Sequence, residues 1–322
     1  MKAVQVVARG VAEFIEMPKP EVTEGTVLIR TRMLSLCGSD IFMLHHAADH
    51  QYPFPPGTTG HEMIGVIEAI NAPGSNFKVG DTVLALAPGH RAMAEFFLAQ
   101  HKDVVPLPSG ASLEHLLQAQ QFGTVLYGMQ RLPNVIGKTI AVIGQGSAGL
   151  WFNFSLRRMG AKRVIAIDQE AFRLEHSKYF GATDVLDNSK TDSVQGVLDL
   201  NEGKLPDIVI EAAGEIESIN LAIDLVKKFG EILYFGVPRA QTLPFNYDRL
   251  FHKCCRATTI VGSFNEMNQQ STRIALDTIS SGAIDLSPMI THNFPFDKVI
   301  EAYEMHRTRA DGAIKIIIDM PS

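Results

Sequence analysis

The apolar run Thr139 to Ile143 leads into Gly144-Gln145-Gly146-Ser147-Ala148-Gly149, then a helical pattern, a second apolar run from Val164 to Ile167, and Asp168. A pyrophosphate held at a helix N-terminus needs backbone N–H groups close by and no side chain in the way. Gly144 allows the tight turn after the strand, and Gly146 lets the backbone approach the phosphates as Ser147 and Ala148 open the helix. Gly149 lets that helix pack against the sheet. Asp168 lies 19 residues beyond Gly149. There a carboxylate accepts both ribose hydroxyls of NAD and repels the 2′-phosphate of NADP, so NAD is the expected ligand. Glycine-rich turns also join strands to helices for steric reasons alone. Here the strand, helix, second strand and acid all agree in register with a dinucleotide.

The elements that must carry this turn alternate. Strands are expected at Thr139–Ile143, Val164–Ile167, Asp184–Leu186, Ile208–Glu211 and Glu231–Phe235, and helices at Ala148–Met159, Ala171–Tyr179 and Glu217–Val226. Such alternation predicts a parallel sheet wrapped by helices, an α/β doubly wound domain. A further strand, Thr258–Gly262, would close it. The first ~105 residues differ, with short β signals at Lys2–Ala8, Thr26–Leu34, Met63–Ile70 and Thr82–Leu86 between Pro/Gly/Asn turns. Ser112 is a plausible N-cap for a helix from Leu113. Beyond Asn268, helices near Ser271–Ser280 and Asp297–His306 and a strand Ala313–Ile318 are expected to return to the first domain.

Composition narrows the partners. The 322 residues are 46% hydrophobic and 20% charged, enough for two domains with real cores. A net charge of -6 without a Lys/Arg run gives no footprint for nucleic acid or an anionic membrane. No apolar stretch reaches the roughly 18 residues that span a bilayer. Three cysteines cannot build a disulfide framework and suit a reducing compartment, so the expected location is cytoplasmic.

The chain resembles the zinc-containing branch of the medium-chain dehydrogenase/reductase family over nearly its whole length. The resemblance rests on Cys37-Gly38-Ser39-Asp40, Gly60-His61-Glu62, Val79-Gly80-Asp81-Thr82-Val83, the glycine turn, Gly181-Ala182-Thr183-Asp184, Glu211-Ala212-Ala213-Gly214 and Phe235-Gly236-Val237. It implies a GroES-like β-rich catalytic domain, residues 1–122 and 266–322, and a Rossmann NAD-binding domain, residues 123–265. It also implies NAD-linked oxidation of a small-molecule alcohol or reduction of a ketone, with a secondary alcohol of polyol, sugar or hydroxy amino acid type favoured.

Thiolate and imidazole are preferred zinc ligands, and a catalytic zinc keeps one position open. Cys37 and His61 are 24 residues apart, and it is the resemblance that pairs them. It further implies Glu62 as a ligand or a carboxylate just behind the ion, Ser39 as the hydroxyl that takes the substrate proton, and Asp40 as the acid that orients His61. Ser39 is equally suited to cap the helix starting near Asp40. The third ligand position of the family falls on Gln120, give or take one residue, and an amide is a weaker donor than carboxylate or thiolate.

Between Val83 and Phe96 the chain lacks a four-cysteine lobe, so one catalytic zinc and no structural zinc are expected. Phe42 stands where relatives carry a relay histidine, with His45 and His46 following. On the cofactor side the resemblance implies Arg173 at the adenosine ribose, Lys315 at the pyrophosphate and the backbone of Gly236 beside the nicotinamide. Cys254, Cys255, His90, His101, His252 and Trp151 show no partner pattern and are expected to pack or lie at the surface. The edge strand at Thr258 predicts a homodimer or homotetramer. Two other functions are compatible with the sequence: a zinc-free NAD(P)H reductase of the same fold, suggested by Gln120 and the missing lobe, and a non-catalytic NAD-binding sensor.

Overall fold

A computed structural model describes residues 1–321. The chain divides into two compact units, one formed by Met1–Thr124 with the segment from Gly262 onward, the other by Val125–Val261.

The first unit opens with the hairpin β1 (Lys2–Ala8) and β2 (Val11–Glu16), followed by β3 (Thr26–Ser35), the short helix α1 (Gly38–Ile41), β4 (Glu62–Asn71), β5 (Thr82–Leu86), β6 (Phe96–Gln100) and β7 (Val104–Pro106). Helix α2 (Leu113–Leu117) starts at Ser112, whose hydroxyl accepts the His115 N–H, so the expected cap is present. Helix α3 (Ala119–Met129) follows directly.

The second unit is built on six parallel strands, β8 (Thr139–Ile143), β9 (Arg163–Asp168), β10 (Asp184–Asp187), β11 (Ile208–Glu211), β12 (Glu231–Tyr234) and β13 (Arg256–Thr259). Their order is β10-β9-β8-β11-β12-β13. That is the doubly wound arrangement, with its switch point between β8 and β11. Helices α4 (Ser147–Arg158), α5 (Ala171–Tyr179), α6 (Ser193–Leu200), α7 (Ile216–Leu225) and α8 (Tyr247–Lys253) connect the strands. Strands β8 and β11 are buried along their whole length, as sheet strands covered on both faces must be. Strand β13 is largely exposed. It spans Arg256–Thr259 rather than Thr258–Gly262, because the Arg256 N–H bonds the Gly230 carbonyl and sets the register with β12, whose last residue, Tyr234, is paired with Thr259.

The chain then returns to the first unit through α9 (Gln270–Ser280), β14 (Ile290–Pro295), α10 (Val299–Thr308) and β15 (Lys315–Asp319). The larger sheet of that unit runs β14-β15-β3-β4-β5-β7, with β6 also paired to β3. Val27, Ile29, Leu34, Met63, Ile67, Val83, Ile316 and Ile318 form part of its core. Strands β2, β6, β7 and β14 were not expected from the sequence, since β2 and β14 alternate too weakly and β7 is too short. Among the described residues no helix is long and apolar enough to cross a membrane.

Candidate active site

Strand register explains why Cys37 and His61 meet. In the antiparallel pair β3–β4, Ser35 lies opposite Glu62. Cys37, just past the end of β3, and His61, just before β4, therefore sit at the same end of the sheet. The other neighbour of β3 is β15, where Ile317 is the partner of Ser35. Lys315 is two residues earlier and so shares the Ile317 face. The Cys37 thiol, the His61 imidazole and the Glu62 carboxylate each place one donor atom within 4.8 Å of the others.

Each donor is held from behind. The Cys37 N–H donates to Asp40 Oδ2 at 2.8 Å, closing the first turn of α1. Ser39 is thus the second residue of the helix rather than its cap, and its buried Oγ has no hydrogen-bond partner among the described residues. His61 Nδ1 lies 3.5 Å from Asp40 Oδ1, and its Nε2 is 3.9 Å from Glu62 Oε1. Glu62 is fully buried. Its Oε2 accepts the Ser35 hydroxyl and pairs with Lys315 Nζ at 2.5 Å, which leaves Oε1 buried without a partner.

Charge follows from this packing. Burial and the Glu62 carboxylate push the Cys37 thiol up, but His61 and Lys315 outweigh them and bring it below its ordinary value. Burial also pushes the Asp40 carboxyl up, yet hydrogen bonding to His61 and His90 holds it at about 2. His61 is lowered by burial and raised further by Asp40 and Cys37, ending well above its usual value. A thiolate, an imidazole and a carboxylate with an orphaned buried oxygen are what a zinc-sized cation would satisfy, so the residues fit the ion.

Three expected placements shift. The amide at the sulfur belongs to Gln121, with Nε2 3.7 Å from Cys37 Sγ, and its buried Oε1 has no partner. Gln120 precedes it on α3 and is turned by roughly 100° around the axis, as neighbouring helix residues are. Lys315, expected at the pyrophosphate, is instead wholly buried against Glu62, because its place in β15 points it at the β3–β4 end. His90, expected to pack or lie at the surface, is instead beside His61, with ring centroids 4.2 Å apart. The sequence offered one cue, that His90 falls in the shortened stretch between β5 and β6.

In the second unit Gly144 has φ +90°, and Gly146 is the N-cap of α4. A Cβ at Gly146 would meet only Arg173 Nη1, at 3.8 Å, so the approach to the helix N-terminus is open beside a guanidinium. Ser147 and Ala148 form the first turn. A Cβ at Gly149 would fall 2.0 Å from the Gly144 carbonyl oxygen. Asp168 ends β9, and its two oxygens accept the N–H groups of Gln145 (2.6 Å) and Glu170 (2.9 Å). Each oxygen keeps a lone pair for a further donor. Glu211 ends β11 and accepts the N–H groups of Ala213 and Gly214, both at 2.8 Å, while burial pushes its carboxyl up. Gly236 packs on that turn, where a Cβ would lie 2.3 Å from the Gly214 nitrogen.

Comparison with known proteins follows this division. A family model described as alcohol dehydrogenase GroES-like domain matches residues 23–109, and one described as zinc-binding dehydrogenase matches residues 149–281. Together they span more than half of the chain. The chain is 27% identical to an alcohol dehydrogenase of Cupriavidus necator, over 99% of this chain and 98% of that one. It is 26% identical to D-arabitol-phosphate dehydrogenase of Enterococcus avium, covering 95% and 96% of the two. Among solved structures, zinc dependent alcohol dehydrogenase 2 from Streptococcus pneumonia in its apo form matches with a TM-score of 0.86 and 25% identity, covering 100% of this chain and 99% of that chain.

Proposed function

Because the chain belongs to the zinc-containing medium-chain dehydrogenase family, we propose that it transfers hydride between NAD and a secondary alcohol or ketone of polyol or sugar type. The observation that carries this reading is the convergence of Cys37, His61 and Glu62, with one buried carboxylate oxygen left unpartnered. When bound, zinc supplies a Lewis acid at the substrate oxygen and NAD the hydride acceptor.

Cys37, His61 and Glu62 hold the ion, with the Gln121 amide beside them in the place expected for Gln120. Asp40 fixes the His61 tautomer that leaves Nε2 unprotonated. Lys315 offsets one negative charge of the donor set and holds Glu62 so that Oε1 is presented. Ser39 relays the proton: its Oγ takes the substrate hydroxyl proton as its own hydroxyl proton passes outward to water. In the second unit the N–H groups of Gly146, Ser147 and Ala148 bind the pyrophosphate, Asp168 the ribose hydroxyls, Arg173 the adenosine side, and the backbone at Gly236 the nicotinamide.

The carboxylate of Asp168 supports NAD over NADP, and one zinc per chain is proposed, with no structural zinc. The open edge of β13, where Arg256, Ala257 and Thr259 are exposed, supports pairing with a second copy in a homodimer or homotetramer. Three free thiols suit a reducing, cytoplasmic setting. Purification without chelators, metal analysis, and a screen of secondary alcohols and ketones with both coenzymes test the reading. One zinc lost in Cys37→Ala together with NAD-linked turnover supports it; a metal-replete preparation that turns over nothing overturns it.

A further inference from the structure

Asp40 is fully buried, and its Oδ2 is occupied by the Cys37 N–H. The other oxygen, Oδ1, faces two imidazoles, with His61 Nδ1 at 3.5 Å and His90 Nδ1 at 4.0 Å. Among the described residues neither ring nitrogen, nor Oδ1 itself, has any other hydrogen-bond partner. A carboxylate oxygen carries two lone pairs and can take a proton from each ring with a few tenths of an ångström of side-chain movement.

The second ring is not there for packing alone. His90 lies over His61 at a centroid distance of 4.2 Å and an interplanar angle of 46°, and an apolar ring could cover that face equally well. An imidazole nitrogen buried beside a carboxylate without being shared with it would cost free energy. The backbone also holds His90 in place. Its N–H donates to the Ala87 carbonyl, its own carbonyl accepts the Thr59 N–H, and its φ of +51° is one that few residues other than glycine adopt.

We propose that His90 is a positioning residue for the metal-binding imidazole: it shares Asp40 with His61 and blocks rotation of the His61 ring, so that Nε2 stays directed at the Cys37–Glu62 side. The inference rests on the zinc-dependent reading above. His90 touches neither the ion nor the substrate, and acts through Asp40 and through its contact with the His61 ring. Partners behind a metal-binding histidine typically carry about 10- to 100-fold in metal affinity.

The test compares the native chain with Cys37→Ala, His90→Phe and His90→Asn. Zinc affinity is read by competition with a chromophoric chelator, and ligand geometry by the visible spectrum of the Co²⁺-loaded protein. Phe keeps the ring and loses the donor, whereas the Asn amide nitrogen takes nearly the place of Nδ1. The expected result is one zinc per native chain, none in Cys37→Ala, affinity weakened about 10-fold or more with altered cobalt bands in His90→Phe, and recovery of both in His90→Asn. Should the Phe variant not fold, Asn against Gln reads the same hydrogen bond, since the Gln nitrogen sits one carbon farther out. Weaker binding by Gln supports the role, and equal binding overturns it.

Native affinity and spectrum in His90→Phe overturn the positioning role alone. A second equivalent of zinc that vanishes in His90→Phe also overturns it, by making Asp40, His61 and His90 ligands in their own right. A native chain without zinc, or one whose zinc survives Cys37→Ala, overturns the proposed function and this inference together.

Discussion

The glycine turn of the second unit and the donor cluster of the first are built on opposite plans. At Gly144–Gly149 the site is backbone, contiguous in sequence, and depends on what is missing, since added Cβ atoms would strike Ala213 or the Gly144 carbonyl. At Cys37 the site is side chains drawn from the ends of β3 and β4, the stretch before β6, α3 and β15, brought together by strand register. The first plan tolerates no added atoms at Gly144 or Gly149. The second tolerates no change in charge or donor type.

The comparison breaks most visibly at Cys37. Cys37→Ala removes one of the anionic donors, and activity is expected to fall about 10³-fold or more, equivalent to about 4 kcal/mol of transition-state stabilisation. Nucleotide binding by the second unit should remain, measured by coenzyme fluorescence titration. If the variant keeps native kcat/KM, the donor cluster is not where the reaction is assisted.

Gly149→Ala is the mirror experiment. A Cβ 2.0 Å from a carbonyl oxygen forces the helix off the sheet, at a cost of about 2–4 kcal/mol to that unit and with loss of coenzyme binding. Zinc content should persist, because no donor lies in the disturbed unit. Denaturant unfolding and metal analysis on one sample read both quantities. A variant with native stability and coenzyme affinity would mean that the turn relaxes easily.

The same contrast governs what was legible in the sequence. The βαβ segment could be read from Thr139 to Asp168 because periodicity, turn chemistry and the site itself all lie within one local stretch. Helix α5, strand β11 and strand β5 came out with their observed ends for the same reason. Cys37 and His61 could be paired only by family resemblance, since spacing along the chain says nothing of β3–β4 register. Lys315 and His90 show the limit more sharply. Lys315 depends on which strand β15 joins, and His90 on how a shortened loop folds over Gly57 and Gly60, where a Cβ would collide with the Arg91 carbonyl and the Met93 nitrogen. Neither is a local property. The choice between Gln120 and Gln121 is of the same kind on a smaller scale, one step along a helix whose rotation only packing decides.

Asp168 tests the nucleotide side with a smaller effect. Its oxygens already take the N–H groups of Gln145 and Glu170, so Asp168→Ser should loosen the turn slightly as well as remove the ribose acceptor. NAD affinity is expected to fall about 10- to 30-fold, in keeping with about 1.5–2 kcal/mol for hydrogen bonds to a charged group. NADP affinity should fall less or rise, since the repelling charge is gone. An unchanged ratio of kcat/KM for the two coenzymes would remove Asp168 as the discriminating residue.

Gln121 sharpens the other half. A neutral amide beside Cys37 donates to sulfur through Nε2 and leaves Oε1 buried and unpartnered. In Gln121→Glu an anionic oxygen takes that place. Without zinc the new charge faces the Cys37 sulfur and the Glu62 carboxylate and is repelled by both. With zinc it adds a harder, charged donor, and the buried Lys315 ammonium offsets part of the excess. The two states therefore move in opposite directions, and zinc affinity should rise about 10-fold, or about 1.4 kcal/mol. Gln120→Glu should leave zinc affinity unchanged, because its side chain leaves the helix on another bearing. Chelator competition on the two variants side by side decides it: tighter binding by Gln120→Glu and not by Gln121→Glu would mean that the helix presents the other amide to the sulfur.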